Sequence, residues 1–194
     1  GAVGPREAVI HPGTGGIDIM PARIDLTAGG VGVVPVENRE MPLKAPLSQI
    51  KEDYGFILIH CPPSLGLLTI NSLTAADSVI IPLQCEYYAM EGLSQLMNTI
   101  RLIREGLNKD LILEGIVLTM YDQRNNLSRE VLRQITEYFP KEAFQTVIPR
   151  NVRLSEAPSY GQPINIYDKN SVGAANYNEL ATELISRNKA GSPQ

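Results

Sequence analysis

The side chains able to do chemistry sit where apolar runs stop. Phe56-Ile57-Leu58-Ile59 is apolar on both faces and ends at His60-Cys61-Pro62-Pro63-Ser64, which offers an imidazole, a thiol and a hydroxyl in close succession. A nucleophilic Cys61 needs a partner such as His or Asn, and the pattern implies neither, so it reads as a structural thiol. A zinc site at His60 needs companions, yet His11 is the only other histidine; zinc is not expected. Ser155 and Glu156 also lack a nearby His, and Leu154 to Gly161 reads as a short capped helix ended by that glycine.

Two further groups of residues bear on phosphate chemistry. Thr14-Gly15-Gly16 and Gly29-Gly30-Val31-Gly32 invite a phosphate-cradle reading, but such a loop needs Gly-x-x-x-x-Gly-Lys-Ser/Thr, because the lysine neutralises the terminal phosphates and the hydroxyl holds magnesium. No Gly-Lys-Ser or Gly-Lys-Thr occurs in the sequence, and these glycines read as turns. Arg124 follows one apolar run while Arg150 and Arg153 follow the next. If those runs are parallel strands, all three arginines project from one carboxyl edge. Guanidinium forks bind phosphate oxygens well, with a salt-dependent affinity indifferent to base sequence. On the residues alone, the simpler alternative is solvated arginines paired with Asp122 or Glu156.

The elements that must position these groups alternate. Phe56 to Ile59 is expected as a buried central parallel strand; the prolines after it bar further pairing and turn the chain out at the carboxyl end, the edge where open α/β sheets bind ligands. Ser64 is expected to cap a helix from Leu65 to about Ala76, followed by a strand over Ser78 to Leu83. Leu93, Leu96, Met97, Ile100, Ile103 and Leu107 recur at helical spacing through Ala89 to Asn108, with Met90 and Met97 as core fillers. Gly115 to Met120 reads as a strand, Ser128 as the cap of a helix to about Phe139 with a stripe of Val131, Leu132, Ile135 and Tyr138, and Phe144 to Ile148 as a fourth strand. Gly173 to about Arg187 closes the chain, burying Tyr177, Leu180, Leu184 and Ile185. Earlier, Ile17 to Ala22 reads as a short strand. Glycines and prolines leave only Ala45 or Pro46 to Asp53 helical. The fold class is α/β, a three-layer, doubly wound and mostly parallel sheet flanked by helices. Residues 1–16 form a flexible lead-in, 17–187 a single domain and 188–194 a polar tail.

Composition narrows the class. At 194 residues one domain buries roughly 70% of its unfolded surface. A net charge of −4 and a pI near 5.3 argue against a broadly basic nucleic-acid binder while leaving room for a local patch. Two cysteines without CxxC spacing fit a reduced cytosol, and no apolar run reaches the roughly 20 residues of a membrane span.

The stretch HCPPSLGLLTINSLTAADSVIIPLQCEYYAMEGLSQL from His60 resembles the switch II region and following strand of the ParA/Soj partition ATPases, in the MinD-like branch of P-loop NTPases. LEGIVLTMYDQRNNLSREV from Leu113 and TVIPRNVRLSEAPSYGQPINIYDKNSVGAANYNELATELI from Thr146 match in the same order, so the resemblance covers most of residues 46 to 186. It implies ATP and magnesium as family cofactors, nucleotide-dependent dimers, sequence-independent DNA binding through arginines like Arg124 and Arg153, and a ParB-type centromere-binding partner that stimulates hydrolysis. Pro149, Arg150 and Asn151 would lie on the base side of a bound nucleotide. No membrane association is implied, and the location is cytoplasmic, on the nucleoid where DNA binding is retained.

The sequence departs from that family at two places. Family members carry Asp where His60 stands, and they begin with a lysine-bearing phosphate loop. Imidazole is a poor substitute for a carboxylate toward magnesium. The chain is therefore expected to be a truncated or degenerate member, without catalytic residues or a bound cofactor of its own and unable to hydrolyse ATP. Its sheet would also miss the phosphate-loop strand; either the sheet closes up, another segment or subunit fills the gap, or the chain is a fragment. The alternative role is a nucleotide-independent scaffold or regulator that pairs with an intact ParA-like subunit without contacting DNA.

Overall fold

The computed structural model describes residues 4–13, 16–21, 43–61 and 66–190. The chain divides into two compact units, Gly1–Val79 with Gln95–Ile112 and Ile80–Ser94 with Leu113–Gln194.

In the first unit, the backbone turns over residues 4–8, where Glu7 and Ala8 donate N–H groups to the Gly4 carbonyl. Ile10 and Ile19 form a single antiparallel bridge. The strand expected over Ile17 to Ala22 is thus reduced to one pairing, with Ile17 and Ile19 exposed; Ala22 lies outside the described residues. α1 is Lys44–Ser48, followed by a 3-10 turn at Lys51–Asp53. α2 is Leu67–Ala75, with Gly66 rather than a side chain at its N-cap; Ser64 and Leu65 lie outside the described residues. Its last carbonyls are satisfied by a side chain, since Asn108 Nδ2 donates to Leu73 and Ala76 O at 2.9 and 2.8 Å, relieving acceptors that a helix end leaves open.

The expected buried strand at Phe56 to Ile59 is absent. These residues are extended and belong to no ladder, and Phe56 and Leu58 are 53% and 81% exposed. An apolar run is buried on two faces only when strands flank it and layers cover it. No described segment pairs with this one.

Two strands pair in parallel. β1 is Ser78–Gln84 and β2 is Ile112–Thr119, adjacent in the sheet. Hydrogen bonds join Asp77 to Ile112 and Cys85 to Thr119, and because both residue numbers rise together the pair is parallel. α3, Ala89–Gly106, connects them, burying Leu93, Ile100 and Ile103 at the anticipated spacing.

On the other side of β2, residues 142–150 run parallel to it, with bridges at Ile116–Ala143 and Tyr121–Pro149. This replaces the expected regular strand at Phe144 to Ile148. Phe144 N–H donates to Ile116 O and Ile148 N–H to Leu118 O, so four steps on this segment match two on β2 and the intervening backbone bulges away.

α4 is Asn126–Tyr138, capped by Asn125, whose side chain accepts from the Leu127 N–H at 2.9 Å. The cap is not Ser128, which is 1% exposed and faces inward with Val131 and Ile135; Tyr138 is outside that stripe, 67% exposed. α5 is Val152–Glu156 and a 3-10 turn over Ala157–Tyr160 follows, ended by Gly161 at φ 62° as its spacing implied. After α6, Ile164–Tyr167, α7 runs over Val172–Ala190. Its Leu180 and Leu184 pack on Val117, Phe144 and Ile148, while Tyr177 and Ile185, expected inside, are 43% and 41% exposed.

Candidate functional site

Parallel strands deliver their loops to one edge. In the second unit these are residues 85–88 after β1, 120–125 after β2 and 149–153 after the bulged segment. Between them lies a cleft of about 400 Å³, whose lining includes Glu86, Tyr87, Met120, Asp122, Ser128 and Arg150. Met120 has φ 54°, a left-handed conformation costing a non-glycine residue roughly 1–2 kcal/mol. The turn lets Tyr121 rejoin the sheet at once, its N–H donating to Ile148 O and its carbonyl accepting from Arg150 N–H.

Arg124, Arg150 and Arg153 each meet a carboxylate. Arg124 grips Asp122 with both prongs, Nε to Oδ1 at 3.0 Å and Nη2 to Oδ2 at 2.9 Å, and its backbone N–H adds a third bond to Oδ1. The Arg124 fork and backbone N–H, aided by the Arg150 charge, hold the Asp122 carboxyl well below the usual range, at about 2. Arg150 Nη2 reaches Glu86 Oε1 at 3.3 Å. Arg153 Nη1 lies 2.9 Å from Glu156 Oε2, and its Nε lies 3.4 Å from Asp168 Oδ2. Tyr167 OH donates to the same Glu156 oxygen at 3.1 Å, and its ring stacks on Tyr160. Asn151 caps α5, its Oδ1 accepting from the Arg153 N–H at 2.8 Å.

The expected site residues separate into two groups. Arg124, Pro149, Arg150 and Asn151 sit on the loops of this edge, and Arg153 in the first turn of α5 directly after them. His60 and Cys61 belong to the first unit, where His60 is exposed and Cys61 half-buried; Pro62, Pro63 and Ser64 lie outside the described residues. Asp122 and Glu156 take the arginines as the simpler reading had it. Glu86 and Asp168 were missed as partners, although Glu86-Tyr87-Tyr88 directly follows β1 and had to emerge at this edge.

A second cleft, about 300 Å³, lies in the first unit and includes Arg6, His11, Asp18, Asp53 and Tyr54. Asp18 accepts from His11 Nδ1 at 2.7 Å and from Tyr54 OH at 2.9 Å, bonds that hold its carboxyl below the ordinary value. Arg6 pairs with Asp53 at 2.9 Å.

A family model described as an AAA domain matches residues 4–113. The chain is 55% identical over 170 residues to the sporulation initiation inhibitor protein Soj of Bacillus subtilis, covering 88% of this chain and 67% of that protein. It is 50% identical over 191 residues to the chromosome partitioning protein ParA of Myxococcus xanthus, covering 98% and 68% respectively. The chain belongs to the ParA/Soj family. It spans about two thirds of the length of these curated relatives. Among solved structures, a cobyrinic acid a,c-diamide synthase from Mycobacterium smegmatis, with bound ADP and magnesium, superimposes with a TM-score of 0.80 at 35% identity, covering 98% of this chain and 70% of that one. The fold is accordingly that of the ParA/MinD-like P-loop NTPases.

At the end of the Phe56 run the His60 imidazole is exposed, and no group of three His, Cys, Asp or Glu side chains able to hold a metal occurs among the described residues. No described helix is long and apolar enough to cross a membrane.

Proposed function

We propose that the chain takes part in chromosome or plasmid partitioning and contacts DNA phosphates, independently of base sequence, through Arg124 and Arg153. The observation carrying this reading is that Arg124 and Arg150 stand on loops of a single sheet edge and Arg153 in the first turn of α5 that follows, exposed to 86%, 58% and 55%. Phosphate contacts of this kind position a duplex without reading it. The partner would be a centromere-binding protein of the ParB type, and the location the cytoplasm. Where a nucleotide binds, the cleft beside Arg150 is the natural seat of its base, with Pro149 and Asn151 flanking it.

The same 194 residues are inferred not to hydrolyse ATP. His60 occupies the position of a magnesium-side carboxylate, and no Gly-Lys-Ser/Thr is present in them, so neither cation needed to balance a triphosphate is held. Tight, magnesium-dependent ATP capture by this polypeptide, with turnover lost on changing one side chain, overturns the inference.

DNA contact is tested by gel shift with non-specific duplex over a salt series. Binding that weakens as salt rises and is lost in Arg124→Ala and Arg153→Ala supports the reading; absence of binding at low salt sinks it. One observation favours a second reading, a scaffold that pairs with an intact family member without touching DNA: Arg124, Arg150 and Arg153 each already have a carboxylate within 3.4 Å. Co-purification with an intact relative, without any gel shift, selects it.

A further inference from the structure

The carboxylates that face the three arginines determine what the edge presents to a polyanion. Arg124, Arg150 and Arg153 bring three positive charges, while Asp122, Glu86, Glu156 and Asp168 bring four negative ones. As folded, these three arginines and their partners carry no net positive charge. We propose that these carboxylates act as an internal competitor for phosphate, so that nucleic acid binds by exchange and the edge is held in a low-affinity state that loss of a carboxylate charge relieves. This rests on the proposed DNA contact and concerns its regulation.

The locks are unequal. Asp122 is bonded to the Arg124 fork and to its backbone N–H, and swinging it away would undo the loop as well as the ion pair. Glu156 is also bonded, because Tyr167 OH donates to the oxygen that meets Arg153. Glu86 makes one long contact of 3.3 Å with Arg150, and both side chains are 58% exposed. Exposed pairs of that kind are worth little and yield readily to a better anion. Arg150 is therefore the first arginine a phosphate would capture, Arg153 the next, and Arg124 the last. Neutralising Glu86 frees Arg150, and neutralising Glu156 leaves Arg153 facing only Asp168 at 3.4 Å; each freed arginine adds about one counterion-releasing contact.

The experiment uses the full 194-residue chain and a non-specific DNA duplex, with affinity measured from low to moderate salt for wild type, Glu86→Gln, Glu156→Gln, the double variant and Glu137→Gln. The last pairs with Arg133 at the far end of α4 and changes net charge by one, as each single variant does, without touching the edge. Circular dichroism verifies that each variant is folded. The double variant is expected to bind several-fold tighter than wild type and Glu137→Gln, with a salt slope steeper by about one to two units, and the gain should vanish in Arg150→Ala/Arg153→Ala. If wild type binds and the neutralised variants bind no tighter, the competitor role fails while the DNA contact survives. If Glu137→Gln gains as much as Glu86→Gln or Glu156→Gln alone, the effect is net charge alone and the proposal fails. If nothing binds at low salt, the DNA contact itself fails and this inference with it.

Discussion

Glu183 Oε2 accepts two hydrogen bonds from a single residue, Thr146, the backbone N–H at 2.9 Å and the hydroxyl at 2.8 Å. Its other oxygen accepts from the Gln145 N–H at 2.9 Å and from Arg187 Nη2 at 2.7 Å. The donors freed where residues 142–150 bulge from β2 are thereby satisfied by a side chain of α7, which is why the segment can leave the ladder without stranding buried N–H groups. Arg187 completes the clasp by donating to Ala143 O at 2.7 Å and lying over the Phe144 ring. The loop carrying Pro149, Arg150 and Asn151 begins where this clasp ends.

Removing the clasp should destabilise the second unit. Glu183 is 19% exposed, and Glu183→Ala leaves several donors without their acceptor, a loss of about 1–3 kcal/mol, to be read from urea melts at pH 7. The pH dependence has a definite sign. Burial pushes the Glu183 carboxyl up, but the bonds from Gln145, Thr146 and Arg187 together hold it below its ordinary 4.5. A carboxyl lowered in the folded state contributes stability above its unfolded value and loses it as pH falls through the folded one. The gap between wild type and Glu183→Gln should accordingly be full at pH 7 and shrink below pH 4.5; a gap that widens in acid contradicts the clasp.

Gly115 should resist any side chain. A Cβ there would lie 2.4 Å from Phe144 Cε2 and 2.5 Å from the Glu142 carbonyl oxygen, and that carbonyl accepts the Ile116 N–H that pairs the two segments. Gly115→Ala is expected to cost about 1–3 kcal/mol by overpacking. Shortening the ring in Gly115→Ala/Phe144→Leu should recover part of the clash but not all, since the carbonyl stays, and a double-mutant cycle on urea melts measures the share. Full additivity would show that the ring is not the obstacle.

How legible these features were depends on where their determinants lie. α3 could be read because Leu93, Ile100 and Ile103 carry their own period, and Gly161 because a left-handed helix end asks for glycine. The Ser128 cap was misread although the signal was present: Ser128 shares the face of Val131 and Ile135, three and seven positions on, which marks it as inward, whereas Asn125 is free to turn back. The bulge at Gln145 and Thr146 could not be read, because its cause is a glutamate nearly forty residues away on α7. Phe56 and Leu58 failed for a related reason, since burial of a strand belongs to its neighbours as much as to itself. At the site, the positions of the arginines followed from strand order, but their ion pairing with Glu86 and Asp168 depends on loop geometry that no spacing encodes.

Asp122 and Arg124 provide a titration test of the edge. The Asp122 carboxyl is expected to titrate near 2 in the folded chain, and Arg124→Ala should return it toward 3.8 by removing the side-chain bonds that depress it. Carbon-detected NMR of the aspartate carboxyls reads both. If Asp122 titrates at its ordinary value in wild type, the two-pronged pair does not persist in solution, and Arg124 is free for phosphate without any exchange.

The two cysteines should differ in reactivity. Cys85 is 3% exposed, and burial pushes its thiol up to about 11, so at pH 7.5 it offers almost no thiolate and little access. Cys61 is only half-buried, on an extended segment without ladder bonds. A maleimide or disulfide reagent should modify one thiol in the native chain and both in denaturant, and peptide mapping should place the native label on Cys61. With Cys61→Ser, native labelling should fall close to zero. Rapid labelling of Cys85 in the folded protein would mean that the carboxyl end of β1 opens, and with it the floor beneath Glu86 and Arg150 on which the exchange at the edge depends.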